Sequence, residues 1–134
     1  MSTPKFSLKA YERLKSKKQI GYLFANGKSH FTHPFKVFYL LEQNNTPELW
    51  PVKFTVSIPK KKIKLAVKRN LLKRRTREAY RLNKLGLDEK INKSNYKISL
   101  MFVYLEKEVK NYDVLAKSIL KHINEIIKRV DRLA

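Results

Sequence analysis

Between Pro59 and Lys84 the sequence sets seven lysines and five arginines against a single acid, Glu78. Such side chains do one kind of chemistry well. Ammonium and guanidinium groups grip phosphate oxygens, and arginine adds a bidentate fork that also stacks on bases. On a helix at about 100° per residue, Arg69, Asn70, Lys73, Arg74, Arg77, Arg81 and Lys84 fall within one arc roughly 140° wide. Val67, Leu71, Leu72, Ala79 and Leu82 fall on the other side. The spacing predicts an amphipathic helix over 66–84, buried on its apolar side and offering its cations outward. Like charges three and four residues apart repel and destabilise a helix, so an external polyanion is needed to compensate them. Lys60, Lys61, Lys62 and Lys64 form a basic loop leading into the helix.

Other chemistry is thin. His30, His33 and His122 show no metal-ligand spacing, and His30 and His33, flanking a strand start, read as solvated imidazoles. The closest acids, Asp88 with Glu89 and Glu106 with Glu108, read as solubilising groups. A two-metal nuclease needs several carboxylates converging on ions about 4 Å apart. Gly21, Gly27 and Gly86 are isolated, so no glycine-rich loop cradles a phosphate. Neither a catalytic side chain nor a metal site is expected on this chain. A second binding surface is the off-core face of the first predicted strand, where Lys36 and Phe38 lie together. Thr55 and Ser57 would stand beside them if the next strand pairs with it. A cation and an aromatic on a polar sheet face suit single-stranded nucleic acid; the competing reading has Phe38 covered by the first helix through Ile20 and Phe24.

The elements that must position these groups follow from periodicity. Residues 1–15 read as an extended basic arm. A short helix over 16–26 has Ser16 as N-cap, an Ile20-Leu23-Phe24 stripe and Gly27 to close it. A strand over 35–41 is followed by the turn 43–47, which predicts that the strand over 52–58 pairs with it antiparallel. After the cationic helix, Gly86 marks an exit, and the strand over 96–105, the most apolar, is expected at the centre of the sheet. A last helix from Tyr112 carries Leu115, Ile119, Ile123, Ile126 and Val130 inward, with Asp113 near its start and Lys128, Arg129 and Arg132 near its end complementing the macrodipole. The order is α-β-β-α-β-α, a single α+β domain over 1–134 without repeats or linkers.

Composition agrees. Thirty-one Lys plus Arg against eleven Asp plus Glu leave +20 on 134 residues, with 43% apolar residues to build a core. A charge of that size speaks to partners, with phosphate backbone first and an anionic membrane surface second. The membrane is disfavoured because the apolar side of the helix is needed for the core. Absence of cysteine excludes disulfides and thiolate zinc sites. No run of about 18 apolar residues exists to span a bilayer, and the start Met1-Ser2-Thr3-Pro4-Lys5 lacks an apolar signal segment. A cytoplasmic location is expected.

The run Ala66-Val67-Lys68-Arg69-Asn70-Leu71-Leu72-Lys73-Arg74-Arg75-Thr76-Arg77-Glu78 closely resembles the signature helix of the bacterial ribonuclease P protein subunit, Ala-Val-x-Arg-Asn-Arg-x-Lys-Arg-x-x-Arg-Glu. Val56-Ser57-Ile58-Pro59-Lys60-Lys61 stands where that family has a strand ending in Val-Ser and a Lys-Lys loop. The likeness extends to Phe24 and Gly27 at the end of the first helix and to Tyr112-Asp113 at the start of the last. It implies an α-β sandwich with a left-handed β-α-β crossover, where right-handed crossovers are the general default. It also implies a protein partner of a catalytic RNA that removes the 5′ leader of precursor tRNA, with Mg²⁺ used by the RNA-containing holoenzyme, no cofactor on the protein, and no membrane or further protein needed. Matched by position, Arg69, Asn70, Lys73, Arg74 and Arg77 would meet the catalytic RNA, with Lys60 and Lys61 from the loop and Lys68 and Arg81 on the same helix. Ile20, Phe24 and Phe38, with Lys36, Thr55 and Ser57, would line the cleft that takes the leader. Leu71 stands where the family usually has Arg and, at the apolar edge of the wheel, is expected to join the core. Ile20 and Phe38 replace the Phe and Tyr common there. A non-enzymatic RNA-binding protein, ribosomal or RNA-chaperone in kind, would carry the same surface chemistry.

Overall fold

The computed structural model describes residues 16–44 and 51–133; the expected basic arm and most of the 43–47 turn lie outside them. The chain runs α1 (Lys17–Asn26), β1 (Lys28–Thr32), β2 (Phe35–Gln43), β3 (Val52–Ser57), α2 (Ala66–Asn83), α3 (Leu85–Asn92), β4 (Tyr96–Tyr104) and α4 (Tyr112–Leu133). The α+β class and the predicted helices and strands are present, and β1 and α3 are added. One sheet orders its strands β1-β2-β4-β3. β2 is antiparallel to both β1 and β4, whereas β3 is parallel to β4, with α2 and α3 in the crossover.

The predicted antiparallel β2–β3 pair is therefore wrong. β4 is apolar on both faces, with Met101 buried on one and Ile98, Leu100, Phe102 and Tyr104 on the other. Such a strand suits a place covered on both faces, and it lies between β2 and β3 as the central strand its composition predicts. One face of the sheet, carrying Phe35, Val37, Tyr39, Val52, Phe54 and Val56, packs with residues of α2, α3 and α4 into the main core. On the opposite face α1 lays Leu23 on Met101, with Ile20, Phe38, Leu40 and Val103 around them.

α1 starts and stops as its sequence predicts. Ser16 Oγ accepts from the Gln19 amide at 3.4 Å, and the Gly27 amide donates to Leu23 O at 2.8 Å. Glycine is needed at 27 because of a close approach: a Cβ there would sit 2.6 Å from Leu23 O and 2.8 Å from Tyr39 O.

α2 corrects the helical wheel. Its buried residues are Leu72, Thr76, Ala79 and Tyr80, while Val67 is 80% and Leu82 45% exposed. The buried stripe thus lies about a quarter turn from the one drawn on hydrophobicity alone. Two polar-tipped residues explain the rotation. Thr76 Oγ1 donates to Leu72 O at 2.7 Å, satisfying its hydroxyl within the helix, and the Tyr80 ring stacks on Phe54 at 4.0 Å between centroids and 4° between planes. Lys84, counted on the cationic arc, is only 2% exposed. It sits at the corner between α2 and α3, with its Nζ 3.8 Å from Asp88 Oδ2. Gly86 falls inside α3, one turn past the exit it was taken to mark.

Two of the histidines are also placed unexpectedly. His122, on α4, is fully buried; its Nε2 lies 3.0 Å from Phe35 O and its Nδ1 2.9 Å from Nδ1 of His30 on β1. A carbonyl can only accept, so Nε2 carries the His122 proton, Nδ1 is bare, and His30 Nδ1 must donate. Burial is the main reason the His122 pKa falls to about 4 from 6.5. Beside this pair Ser118 Oγ donates to Thr32 O at 2.7 Å, so α4 holds β1 at two points. His30 is thus a structural partner, whereas His33 is half exposed and meets Glu106 at 3.1 Å.

Candidate nucleic-acid interface

The cationic surface is built by α2 and the loop before it. Lys60 and Lys61 are exposed in the turn; Lys68, Asn70, Arg74 and Arg77 are exposed on the helix; Arg69, Lys73 and Arg81 are half buried. Leu65 precedes the helix without a side-chain cap, and no acid lies in the first turn. The first amides of α2 therefore add partial positive charge to the same end.

Arg69 and Arg81 have work inside the protein. Arg69 Nη1 donates to Ile63 O at 3.0 Å and Lys64 O at 2.7 Å, stapling the lysine loop to the helix. Arg81 is held by Glu78 through both carboxylate oxygens, Nε to Oε2 at 3.1 Å and Nη2 to Oε1 at 2.5 Å. The Arg81 hydrogen bond holds the Glu78 carboxyl below its ordinary range, and the same bond raises Arg81. The single acid of the segment thus neutralises Arg81 at the C-terminal end of α2 and leaves the acid-free first turn to the lysines. Arg75, outside the predicted set, donates to Lys110 O at 3.3 Å and ties α2 to the β4–α4 connection.

The second surface is the sheet face under α1. Phe24 and Phe38 meet edge-on at 4.7 Å, and Lys36 Nζ lies 5.2 Å from the Phe38 centroid. Ile20 and Phe38 pack against Leu23 and Met101. Phe38 is thus partly covered by α1, while Phe24 stays 49% exposed at the rim. Thr55 and Ser57 do not adjoin β2. They lie one strand farther, in the rows Phe38–Met101–Thr55 and Lys36–Val103–Ser57. The cleft floor therefore includes Met101 and Val103, which the sequence reading missed. Their parity in β4, opposite to Leu100 and Phe102, is the signal that could have shown a two-faced strand. Phe31 of β1, 58% exposed, pairs with Lys36 and extends this face. Among the described residues no three His, Cys, Asp or Glu side chains are grouped to hold a metal ion, and no helix is long and apolar enough to cross a membrane.

Comparison with known proteins agrees with this geometry. The family model described as Ribonuclease P matches residues 8–131. The chain is 31% identical over 129 residues to the ribonuclease P protein component of Porphyromonas gingivalis, covering 96% of this chain and 93% of that one. It is 37% identical over 109 residues to the protein of the same name from Clostridioides difficile, covering 81% and 82%. Among solved structures, the RNase P protein of Staphylococcus aureus superposes with a TM-score of 0.64 at 21% identity, covering 87% of this chain and 95% of that one. The RNase P protein of Thermotoga maritima gives 0.63 at 22%, covering 85% and 96%.

Proposed function

This chain belongs to the ribonuclease P protein family, and we propose from that membership that it is the protein subunit of the ribonucleoprotein that trims the 5′ leader from precursor tRNA. Its partners are then a catalytic RNA and the precursor, with no further protein and no membrane, and its place is the cytoplasm. Phosphodiester hydrolysis falls to the RNA, which uses Mg²⁺ to stabilise the developing charge. Among the described residues no carboxylates are grouped to hold that ion, and Glu78 is engaged by Arg81.

The observation that carries this reading is the acid-free cationic end of α2 and its stapled lysine loop. There Lys60, Lys61, Lys68, Asn70, Lys73 and Arg74 can meet phosphates of a folded RNA, with Arg77 a turn farther along the helix. The sheet face under α1, with Phe24, Phe38 and Lys36 at hand, has the stacking surface and charge that an extended leader needs. Reconstitution tests it: the purified chain, added to a transcript of the cognate catalytic RNA at low Mg²⁺, is expected to speed cleavage of precursor tRNA. Binding to RNA without any such acceleration would replace this reading with a non-enzymatic, ribosomal or chaperone role.

A further inference from the structure

A groove of about 780 Å³ opens between the start of α2, the loop before it and the segment joining β4 to α4. Its surface joins two unlike chemistries. Leu65, 60% exposed, Leu71 and Val109 supply an apolar lining. Lys61, Lys62, Lys64, Lys68 and Lys107 surround it with five ammonium groups. The lining's one carboxylate, Glu108, has its Oε2 3.7 Å from Lys110 Nζ. Leu71 therefore does not join the core, as its place on the wheel predicted, but lies half-buried in an open groove.

Hydrogen bonds fix the groove on three sides. Arg69 clamps the loop through Ile63 O and Lys64 O. Tyr104, buried at the end of β4, donates its hydroxyl to Glu108 O at 2.5 Å and accepts from the Lys110 amide at 3.2 Å, which sets the opposite wall. Arg75 joins that wall to α2. The hollow is thus held open in the folded protein.

Phosphate alone would leave the apolar lining unused, and an apolar ligand would leave five cations without partners. A nucleotide whose base has left its stack satisfies both, with its base on the leucines and its flanking phosphates on the lysines. The groove is also continuous with the phosphate-binding surface, since Lys61 and Lys68 belong to both. We propose that it seats one unstacked base of the RNA partner. This rests on the RNA-binding reading above.

The test compares the full chain's affinity for a short single-stranded RNA with that for an abasic strand of equal phosphate count, across a salt series. The base-bearing strand is expected to bind on the order of tenfold more tightly, as burial of one base edge implies. With Phe38→Ala as background, so that stacking on the sheet face is removed, Leu65→Ser with Leu71→Ser should close most of that gap while leaving the salt dependence unchanged. Leu65→Ser alone, at an exposed position, gives the same reading if the double variant melts early. A gap that is absent, or that persists in the variant, overturns the base seat but leaves phosphate binding standing. Loss of salt-dependent binding to both strands would instead remove the RNA-binding reading itself. Tighter binding of a polyglutamate peptide than of RNA, abolished in the variant, would assign the groove to a protein partner and overturn the proposal.

Discussion

The cationic side of α2 and the sheet face under α1 present two different chemistries. On α2 the groups are charges at helical spacing, with donors that need no fixed partner geometry to hold phosphates. On the sheet face they are rings and thin aliphatic surface, Phe24 against Phe38 over Met101, with Lys36 alongside. The first surface is a row of separate side chains. On the second, Phe38 touches the helix above it, the strand beside it and Lys36 at once. A chain that needs affinity from one partner and discrimination from another can divide the tasks in this way.

The cationic surface is most vulnerable where α2 is mounted on the sheet. Tyr80→Ala removes the ring stacked on Phe54 and should cost about 3–5 kcal/mol of stability in denaturant melts, detaching the cationic surface without touching a cation. A loss under about 1 kcal/mol would mean that the stack does not hold the helix. Acid should act next, through α4 on the same face of the sheet. His122 is neutral in the fold, facing His30, the Phe35 carbonyl and the Phe102 ring, and its pKa of about 4 lies below the ordinary 6.5. The native state therefore binds fewer protons than the unfolded chain between those values. The contribution is complete above pH 6.5 and is lost as pH falls through 4, in all about 3 kcal/mol. His122→Phe should flatten that part of the stability profile, and an unchanged profile would show that another group governs it.

Smaller effects separate the two surfaces directly. Phe38→Ala in the assembled enzyme should weaken precursor tRNA by about 1–2 kcal/mol while sparing mature tRNA; equal losses would make Phe38 a packing residue only. Arg74→Ala should reduce affinity for catalytic RNA and lower the log–log salt slope by about 0.7–0.9, and a constant slope would take Arg74 out of the interface. Glu78→Gln, which removes the negative charge held against Arg81, should tighten RNA binding by about twofold or threefold. A weaker complex would mean that Glu78 orients Arg81 for contact.

How far the sequence showed these surfaces depends on how each is assembled. The cations of α2 come from consecutive turns of one helix, so periodicity displays them together. The cleft joins α1, β2, β4 and β3, and nothing in the alternation of Phe35 to Leu41 says which strand lies beside it. Thr55 was thus placed next to Phe38, with Met101 in fact between them. β1 was missed because Lys-Ser-His-Phe-Thr offers one large apolar side chain, and that one, Phe31, is exposed. Its inward residue is His30, which reads as polar until His122 is brought against it from 92 residues away. The wheel was misdrawn because Thr76 and Tyr80 look polar in a list and are buried in the fold.

The two hydrogen bonds from Arg69 to Ile63 O and Lys64 O have a kinetic side. A tether of lysines free to wander would have to be ordered by each arriving RNA, with the entropic cost falling on the complex. Here that ordering is completed as the polypeptide folds. On the proposed reading, capture would follow electrostatic steering without a slow search among loop shapes, the loop being set before the two molecules meet.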